Sequence, residues 1–223
     1  MLVALGYGAQ AWSRNLIALI LVVFGSSAVA EPVRIAALGD SLTQGYGLPE
    51  ADGFVPQLQS WLTENGVEAT VLNAGVSGDT TQGGFSRIEW TLTPDVGALI
   101  VALGGNDLLR GIDPDVSRAN LRGILETAQA KDVPVLLIGM EAPGNYGPEY
   151  KETFDAIYPE LAAEFDTQYL ESFFAGLMGE SDDPAALVQY LQPDGIHPNA
   201  DGVEQIVEAV GPKVQALVDP LIN

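Results

Sequence analysis

The fold is decided by residues 33–47, which read Val33-Arg34-Ile35-Ala36-Ala37-Leu38-Gly39-Asp40-Ser41-Leu42-Thr43-Gln44-Gly45-Tyr46-Gly47. The first six residues form a short, mostly apolar run, which is typical of a strand buried inside a sheet. Gly39 permits a tight turn directly after that strand. The N–H groups of the first turn of the helix that follows would point back at the Ser41 hydroxyl. The stretch therefore predicts a strand, a sharp turn and a helix, with a serine at the turn.

Further strands alternate with helices along the rest of the chain. Short apolar runs predict strands at residues 67–72, 98–103, 135–140 and, at an edge, 167–170. Helical spacing is found at residues 53–65, 115–130, 148–165 and 203–217. We expect Pro159 to kink the third of these helices and Gly211-Pro212 to break the last one. The alternation predicts an α/β fold, a three-layer α/β/α sandwich around a five-stranded parallel sheet.

Four polar or glycine residues fall where the strands of that sheet end. Ser41 follows the first strand, Gly78 lies in the loop after the second, and Asn106 follows the third. His197 precedes the last helix. Because functional sites of such sheets form at the carboxyl ends of the strands, these positions predict a shared site.

The only histidine of the chain lies in Asp194-Gly195-Ile196-His197-Pro198. A serine hydroxyl is a poor nucleophile until a base takes its proton, and the base needs a carboxylate that fixes its tautomer. Asp194 can curl back across the glycine turn to one ring nitrogen, which leaves the other facing Ser41. The alternatives are an ordinary helix-capping serine, a surface or core histidine and a turn-forming aspartate.

Two further residues suit the stabilisation of a developing oxyanion. Gly78 can offer a backbone N–H where a side chain would block the substrate, and Asn106 can donate from its amide. Gly78 could instead serve only as a turn. Asn106 could be a strand-end cap, or could hold the backbone of Gly75 or Ser77. The G-x-S-x-G elbow of α/β-hydrolases is absent around Ser41, which disfavours that fold.

The four sequence blocks around Ser41, Gly78, Asn106 and His197 together resemble the GDSL, or SGNH, hydrolase superfamily. The superfamily is named for Ser, Gly, Asn and His in this order. They match Ser41, Gly78, Asn106 and His197, and the match extends from about Val33 to Val214. Residues 39–47, 103–107, 143–147 and 194–199 look like the branch of periplasmic thioesterases, lysophospholipases and arylesterases.

The resemblance implies a flavodoxin-like five-stranded sheet and hydrolysis of acyl esters and thioesters, with no cofactor. It implies the catalytic residues Ser41, Asp194 and His197, and an oxyanion hole of the Ser41 and Gly78 N–H groups and the Asn106 amide. The loop 142–147 follows the fourth strand, so Ala142, Asn145 and Tyr146 are candidates for the wall of an acyl channel. An ordinary Gly/Pro connection is the alternative.

The composition argues against several classes of binding partner. The formal net charge of −21 argues against nucleic acid, whose phosphates the surface would repel, and against stable adsorption on anionic lipids. The chain has no cysteine, which excludes disulfides. The absence of cysteine and the presence of a single histidine also argue against a zinc centre. The composition therefore argues against a metal, and the family resemblance implies a small-molecule acyl ester or thioester as the partner. The sequence leaves the oligomeric state open.

Residues 1–30 have the pattern of a secretory signal peptide. They contain Arg14, an apolar run at residues 16–24 and small residues that end in Ala28-Val29-Ala30. This pattern predicts a hydrolase domain at residues 31–223 and a periplasmic or secreted bacterial enzyme with no stable membrane insertion after processing. An uncleaved membrane anchor is the alternative.

Three other functions compete with the esterase interpretation. A carbohydrate acetylesterase on the same scaffold would need a polar pocket for a sugar and a two-carbon acyl group. An acyltransferase would pass the acyl group to an added alcohol. A non-catalytic lipid- or glycan-binding module should lack one of the four blocks, and this chain keeps all of them.

Overall fold

The centre of the fold is a parallel sheet made of β1 (Val33–Gly39), β2 (Ala69–Gly75), β3 (Ala98–Ala102), β4 (Val135–Ile138) and β5 (Gln168–Leu170). The computed structural model describes residues 31–178 and 187–222, and in these residues the strand order is β2-β1-β3-β4-β5. Every neighbouring pair is parallel. The sheet predicted from the sequence is therefore confirmed, whereas the predicted signal peptide lies outside the described residues.

Helices cover both faces of this sheet. They are α1 (Ser41–Gln44), α2 (Phe54–Glu64), α3 (Thr81–Thr91), α4 (Gly105–Arg110), α5 (Pro114–Ala130), α6 (Pro148–Asp155), α7 (Ile157–Glu164), α8 (Ala175–Met178) and α9 (Ala200–Ile222). One face carries α2, α8 and α9, with α9 packed against the other two, and the other face carries α3, α5 and α7. This is the predicted three-layer sandwich. No helix in the described ranges is long and apolar enough to cross a bilayer.

The inner strands are buried along their whole length. Every residue of β3 and β4 is buried, as are the last five residues of β1. A parallel strand covered by helices on both faces needs apolar residues at consecutive positions rather than at alternate ones. The continuous apolar runs in the sequence reflect this double burial.

The predicted disturbance at Pro159 is present as a break between two helices. α6 ends at Asp155 and α7 begins at Ile157. Proline has no N–H to donate, and its ring crowds the carbonyl four residues earlier, which belongs to Asp155. The break therefore falls one turn before the proline.

The predicted break at Gly211-Pro212 is wrong, because α9 continues through it to Ile222. A Cβ on Gly211 would lie 2.5 Å from the ring of Trp61, so the glycine lets α9 pack closely on α2. Val210 and Val214 are fully buried on the two sides of the proline. Core packing on both halves thus outweighs the poor helix propensity of the pair.

The sequence analysis missed α3, because Gly83 and Gly84 interrupt its helical pattern. A Cβ on Gly84 would lie 2.2 Å from Cδ1 of Leu103, which follows β3. The glycine therefore brings α3 close to the sheet. Thr80 caps the helix by accepting a hydrogen bond from the Gly83 N–H.

Candidate active site

The sheet register brings the predicted site residues to one edge. Gly39 of β1 is paired with Gly75 of β2 on one side and with Ala102 of β3 on the other. The three strands therefore end at the same level, and the segments that carry Ser41, Gly78 and Asn106 leave the sheet together.

Ser41 is the first residue of α1, held there by the capping of Asp40. The Asp40 carboxylate accepts a hydrogen bond from the Leu42 N–H at 3.0 Å. Gly45, with a φ of 86°, ends the helix after four residues. A Cβ on Gly75 would lie 2.4 Å from the Gln44 nitrogen, so glycine is needed where β2 passes α1. The turn thereby places Ser41 above the end of β1.

Ser41, His197 and Asp194 form a continuous hydrogen-bonded chain. His197 Nε2 lies 2.9 Å from Ser41 Oγ, and His197 Nδ1 lies 2.7 Å from Asp194 Oδ2. A carboxylate only accepts hydrogen bonds, so it fixes the proton of the neutral ring on Nδ1. The lone pair of Nε2 is then directed at the serine hydroxyl, which is the arrangement that a general base requires.

Asp194 is prepared for this task by its own loop. Its other oxygen, Oδ1, accepts from the N–H groups of Ile196 at 2.9 Å and of His197 at 3.0 Å. The His197 backbone N–H, then that of Ile196 and the His197 ring, lower the pKa of Asp194 to about 2. The group is therefore a carboxylate at neutral pH. Gly195 has a φ of 68°, which suits the tight turn between the two side chains.

Gln192 joins the His197 loop to the segment after α1, and the sequence analysis did not identify it. Its side-chain amide donates to the Tyr46 carbonyl at 2.8 Å and to the Pro198 carbonyl at 2.9 Å. Its backbone N–H donates to the His197 carbonyl at 2.7 Å. The Tyr46 ring lies 4.7 Å from the His197 ring. The only sequence signal is Gly47, where a Cβ would collide with the Gln192 side chain.

Gly78 adopts the backbone conformation that the turn interpretation requires, with a φ of 83°. Its carbonyl accepts a hydrogen bond from Arg110 Nη2 at 2.8 Å. Arg110 belongs to α4, so the arginine ties the Gly78 peptide to the helix that carries Asn106. Both predicted oxyanion-stabilising residues therefore belong to one hydrogen-bonded unit.

Asn106 uses its side-chain amide in a way that the sequence analysis did not foresee. Its Nδ2 donates to Asp40 Oδ2 at 3.2 Å, rather than to the backbone of Gly75 or Ser77. An amide group carries two N–H donors, so the second one remains for another acceptor. Asp40 is only 1% exposed, and this burial raises the pKa of its carboxyl to about 6.

Arg87 fastens the loop that contains Gly78, and it too was missed. Its guanidinium donates to the carbonyls of Ala74 at 2.7 Å and Gly39 at 2.9 Å, at the ends of β2 and β1. It also forms an ion pair with Asp79 at 2.7 Å. The rigid fork of an arginine suits such simultaneous contacts. Nothing in the local sequence pattern marks this residue, because its partners come from separate strands.

A cavity of about 730 Å³ opens at the Ser41 hydroxyl. Its wall includes Ser41, Gly78, Asn106, Asp194 and His197, so the structure brings all the predicted catalytic and oxyanion residues together. The remaining wall is mostly apolar and includes Leu42, Tyr46, Leu108, Leu109, Met140, Pro143, Tyr146, Phe174, Leu187 and Ile196. In the described part of the chain, no group of three His, Asp or Glu side chains could hold a metal.

The predicted wall residues of the loop 142–147 divide into two groups. Asn145 and Tyr146 line the cavity, as does Pro143. The expectation for Ala142 is wrong, since it is 3% exposed and does not line the cavity. Its N–H donates to Asp155 Oδ1 at 2.7 Å and its carbonyl accepts from Lys151 at 2.8 Å. Ala142 thus anchors the loop on α6.

A parallel α/β sandwich with a Ser-His-Asp chain beside an apolar cavity defines a serine hydrolase. The α/β-hydrolases share the chain order Ser, Asp, His, but the absence of their G-x-S-x-G elbow around Ser41 separates this protein from them. The chain belongs to the GDSL-like Lipase/Acylhydrolase family, whose model matches residues 37–205. The family resemblance noted in the sequence is therefore confirmed.

Named relatives extend over nearly the whole chain. It is 36% identical to "Esterase TesA" of Pseudomonas aeruginosa over 201 residues, which cover 90% of this chain and 96% of the relative. It is 36% identical to "Thioesterase 1/protease 1/lysophospholipase L1" of Escherichia coli K12, covering 93% of this chain and 94% of the relative. The crystal structure of AlinE4, an SGNH-hydrolase family esterase, superposes with a TM-score of 0.68 at 42% identity, covering 85% of this chain and 98% of AlinE4.

Proposed function

We propose that this protein is a serine esterase and thioesterase that hydrolyses acyl esters and acyl thioesters through an acyl-enzyme intermediate. The observation that carries the proposal is the chain from Ser41 Oγ to His197 Nε2 at 2.9 Å and from His197 Nδ1 to Asp194 at 2.7 Å. Relatives named esterase, thioesterase, lysophospholipase and arylesterase support it. Arylesters, acyl-CoA and lysophospholipids are the substrate types of this proposal.

In the first half of the reaction, His197 Nε2 takes the Ser41 proton as Ser41 Oγ attacks the acyl carbonyl. Asp194 stabilises the imidazolium that forms. The Ser41 and Gly78 N–H groups and the remaining Asn106 N–H donate to the oxyanion. The tetrahedral intermediate collapses, the alcohol or thiol leaves with the proton from His197, and the acyl group stays on Ser41.

In the second half, His197 removes a proton from water, which attacks the acyl-enzyme at the same carbonyl. The intermediate is stabilised by the same donors and collapses to release the carboxylic acid, while Ser41 regains its proton. No group beyond these side chains and water is needed to balance the reaction.

The acyl chain occupies the apolar part of the cavity, with Asn145 and Tyr146 in its wall. The apolar wall supports this proposal over a carbohydrate acetylesterase, which would need polar groups for a sugar. Burying each methylene contributes up to about 0.8 kcal/mol, close to fourfold in kcat/KM. The value of kcat/KM should therefore rise from acetyl to medium-chain esters and level off where the cavity ends.

One panel of p-nitrophenyl esters of increasing acyl length tests both the proposed mechanism and the proposed binding of the acyl chain in the cavity. Ser41→Ala and His197→Ala should each lower kcat/KM at least about 10⁴-fold, and the double variant should be no worse, because nucleophile and base act as a unit. Ser60→Ala, an exposed serine on α2, is the matched control and should keep full activity. An active Ser41→Ala protein would refute the mechanism. A profile that falls beyond acetyl would favour the acetylesterase.

We also propose that residues 1–30 are a cleaved signal peptide, that residues 31–223 are the hydrolase domain, and that the enzyme acts in a bacterial periplasm or in the medium. The charged start, the apolar run and the Ala28-Val29-Ala30 site support this proposal.

A further inference from the structure

The described residues that line the active-site cavity include three carboxylates and no lysine or arginine. The carboxylates belong to Asp40, Glu141 and Asp194. Asp40 is bound by the Leu42 N–H and by Asn106, and Asp194 is bound by His197. Glu141 is exposed and forms no ion pair within residues 31–178 and 187–222. Its charge therefore acts on whatever occupies the cavity.

A second carboxylate lies on the same part of the sheet edge. Glu141 comes three residues after the end of β4, and Glu171 comes directly after the neighbouring strand β5. Burial raises the pKa of Tyr169 on β5, and Glu171 and Glu141 raise it further. Both acidic side chains thus act on the same region, beside the cavity wall formed by Met140 and Ser172.

Two basic residues lie on the neighbouring elements, and their charges are treated differently. The carboxylate of Asp155 balances the charge of Lys151, whereas Arg110 is bound by a neutral carbonyl and keeps its positive charge beside Gly78. Arg110 of α4 donates to the Gly78 carbonyl, and Lys151 of α6 binds Asp155 and the Ala142 carbonyl. The whole chain carries 30 acidic residues against nine lysines and arginines. The three carboxylates of the wall outnumber this one arginine, so the field at the cavity combines a locally acidic wall with a strongly negative molecule.

Given the esterase and thioesterase function proposed above, we propose that this site selects its substrate by the charge of the leaving group. Esters and thioesters with a cationic or neutral leaving group are preferred to those with a polyanionic one, such as coenzyme A, and Glu141 is a specificity-determining residue. Anionic leaving groups are repelled as they approach the cavity. A cationic one is attracted, and the half-exposed ring of Tyr46 offers it a π face.

Three butyryl thioesters that share one acyl group test this effect. The neutral and the polyanionic one also end in the same kind of thiol, whereas thiocholine is a better leaving group, so its comparison depends on how kcat/KM changes with salt. S-butyrylthiocholine has a cationic leaving group, S-butyryl-N-acetylcysteamine a neutral one and butyryl-CoA a polyanionic one. The released thiol is measured with one chromogenic disulfide in every case. At low ionic strength we expect kcat/KM to fall in that order, by about tenfold or more from first to last. Salt should narrow the difference, because it screens exposed charges.

A pair of variants assigns the local part of the effect. Glu141→Gln should lower the ratio of kcat/KM between the cationic and the anionic thioester about threefold at low salt. Glu204→Gln removes the same charge from an exposed position on α9 and should leave the ratio unchanged. If both variants change the ratio equally, the assignment to Glu141 is overturned.

The outcomes separate this inference from the function on which it rests. Equal or better hydrolysis of butyryl-CoA than of the neutral thioester at low salt would overturn charge selection while leaving a thioesterase. Failure to hydrolyse any of the three, or hydrolysis that survives Ser41→Ala, would overturn both. The expected order, abolished by Ser41→Ala, supports both.

Discussion

At the scale of single residues, Asp40 connects the helix that begins with Ser41, the proposed nucleophile, to Asn106, a proposed oxyanion donor. One of its oxygens caps the helix that begins with Ser41, and the other accepts from Asn106. The same carboxyl is almost completely buried. A carboxylate in that position is costly, because two hydrogen bonds only partly replace the water that it loses. The residue therefore aligns the site at some expense of stability.

This loss of folding stability depends on pH, and the raised pKa of the Asp40 carboxyl determines whether stability rises or falls with pH. Because the folded-state pKa is about 6 against an ordinary 3.8, the unfolded chain releases this proton first. The stability tied to the neutral form is complete below about pH 4 and is lost as pH rises through 6. Two pKa units correspond to about 3 kcal/mol.

Asp40→Asn should therefore gain stability relative to the wild type by up to about 3 kcal/mol between pH 4 and pH 7. Urea unfolding of both proteins at several pH values measures the difference, which cancels the other carboxyl groups. Activity should fall, because an amide on residue 40 would oppose the amide of Asn106. A stability difference that stays constant with pH would contradict the pKa assignment.

The sequence predicted some of these residues and not others for a physical reason. His197 is the only histidine of the chain, so no other histidine could be the base. Asp194 lies three residues before His197, so the sequence also indicated its carboxylate partner. The pairing of Asn106 with Asp40 spans 66 residues and depends on the sheet register. Ala142 was misplaced because the loop composition shows neither which way a residue faces nor that its backbone binds α6.

At the scale of elements, the strands were more predictable than the helices. β3 and β4 are buried on both faces, so their continuous apolar runs mark them directly. α3 carries two glycines that serve close packing, and α9 runs through a glycine and a proline. In both helices tertiary packing overrode the local helix propensity, and such packing cannot be inferred from the sequence alone.

The loop that carries His197 is the element on which activity should depend most. Gln192→Met keeps the size of the side chain but removes the donors to Tyr46 and Pro198, and we expect kcat to fall about 10- to 100-fold with little change in KM. Steady-state kinetics on one p-nitrophenyl ester measures both. The reason is that His197 must remain within hydrogen-bonding reach of Ser41.

The matched control is Gln57→Met. Gln57 also donates to two carbonyls from separate parts of the chain, Asp52 and Ala200, but neither carbonyl belongs to residues 192–198, the loop that carries His197. Both variants should lose similar thermal stability, whereas only Gln192→Met should lose kcat. A Gln192→Met enzyme with unchanged kcat would show that the loop keeps its position without the clamp.

At the scale of the whole molecule, the architecture and the family were predictable because the alternating pattern and four ordered blocks extend over most of the chain. The shape of the cavity was not, since its wall combines residues from segments that are far apart in sequence. The negative charge was evident from composition. Its position at the cavity was not, because Asp40, Glu141 and Asp194 come together only in the folded protein.

Processing of the chain is a prediction at this scale. β1 begins at Val33, so a cut after Ala30 would remove no residue of the sheet. We expect N-terminal sequencing of the exported protein to begin near Glu31. A protein that lacks residues 1–30 should keep the kcat/KM and thermal unfolding of the exported form. Recovery of the protein from membranes with residue 16 onward intact would support an anchor instead.

The hydrogen bond between Ser41 and His197 joins residues that are 156 positions apart. The ribosome makes the nucleophile early and its base near the end, so a growing chain carries a serine without an activating partner. Premature termination anywhere before residue 197 leaves a polypeptide without acyl-transfer chemistry. The order of synthesis thus delays the assembly of the Ser41–His197 pair until translation is nearly finished.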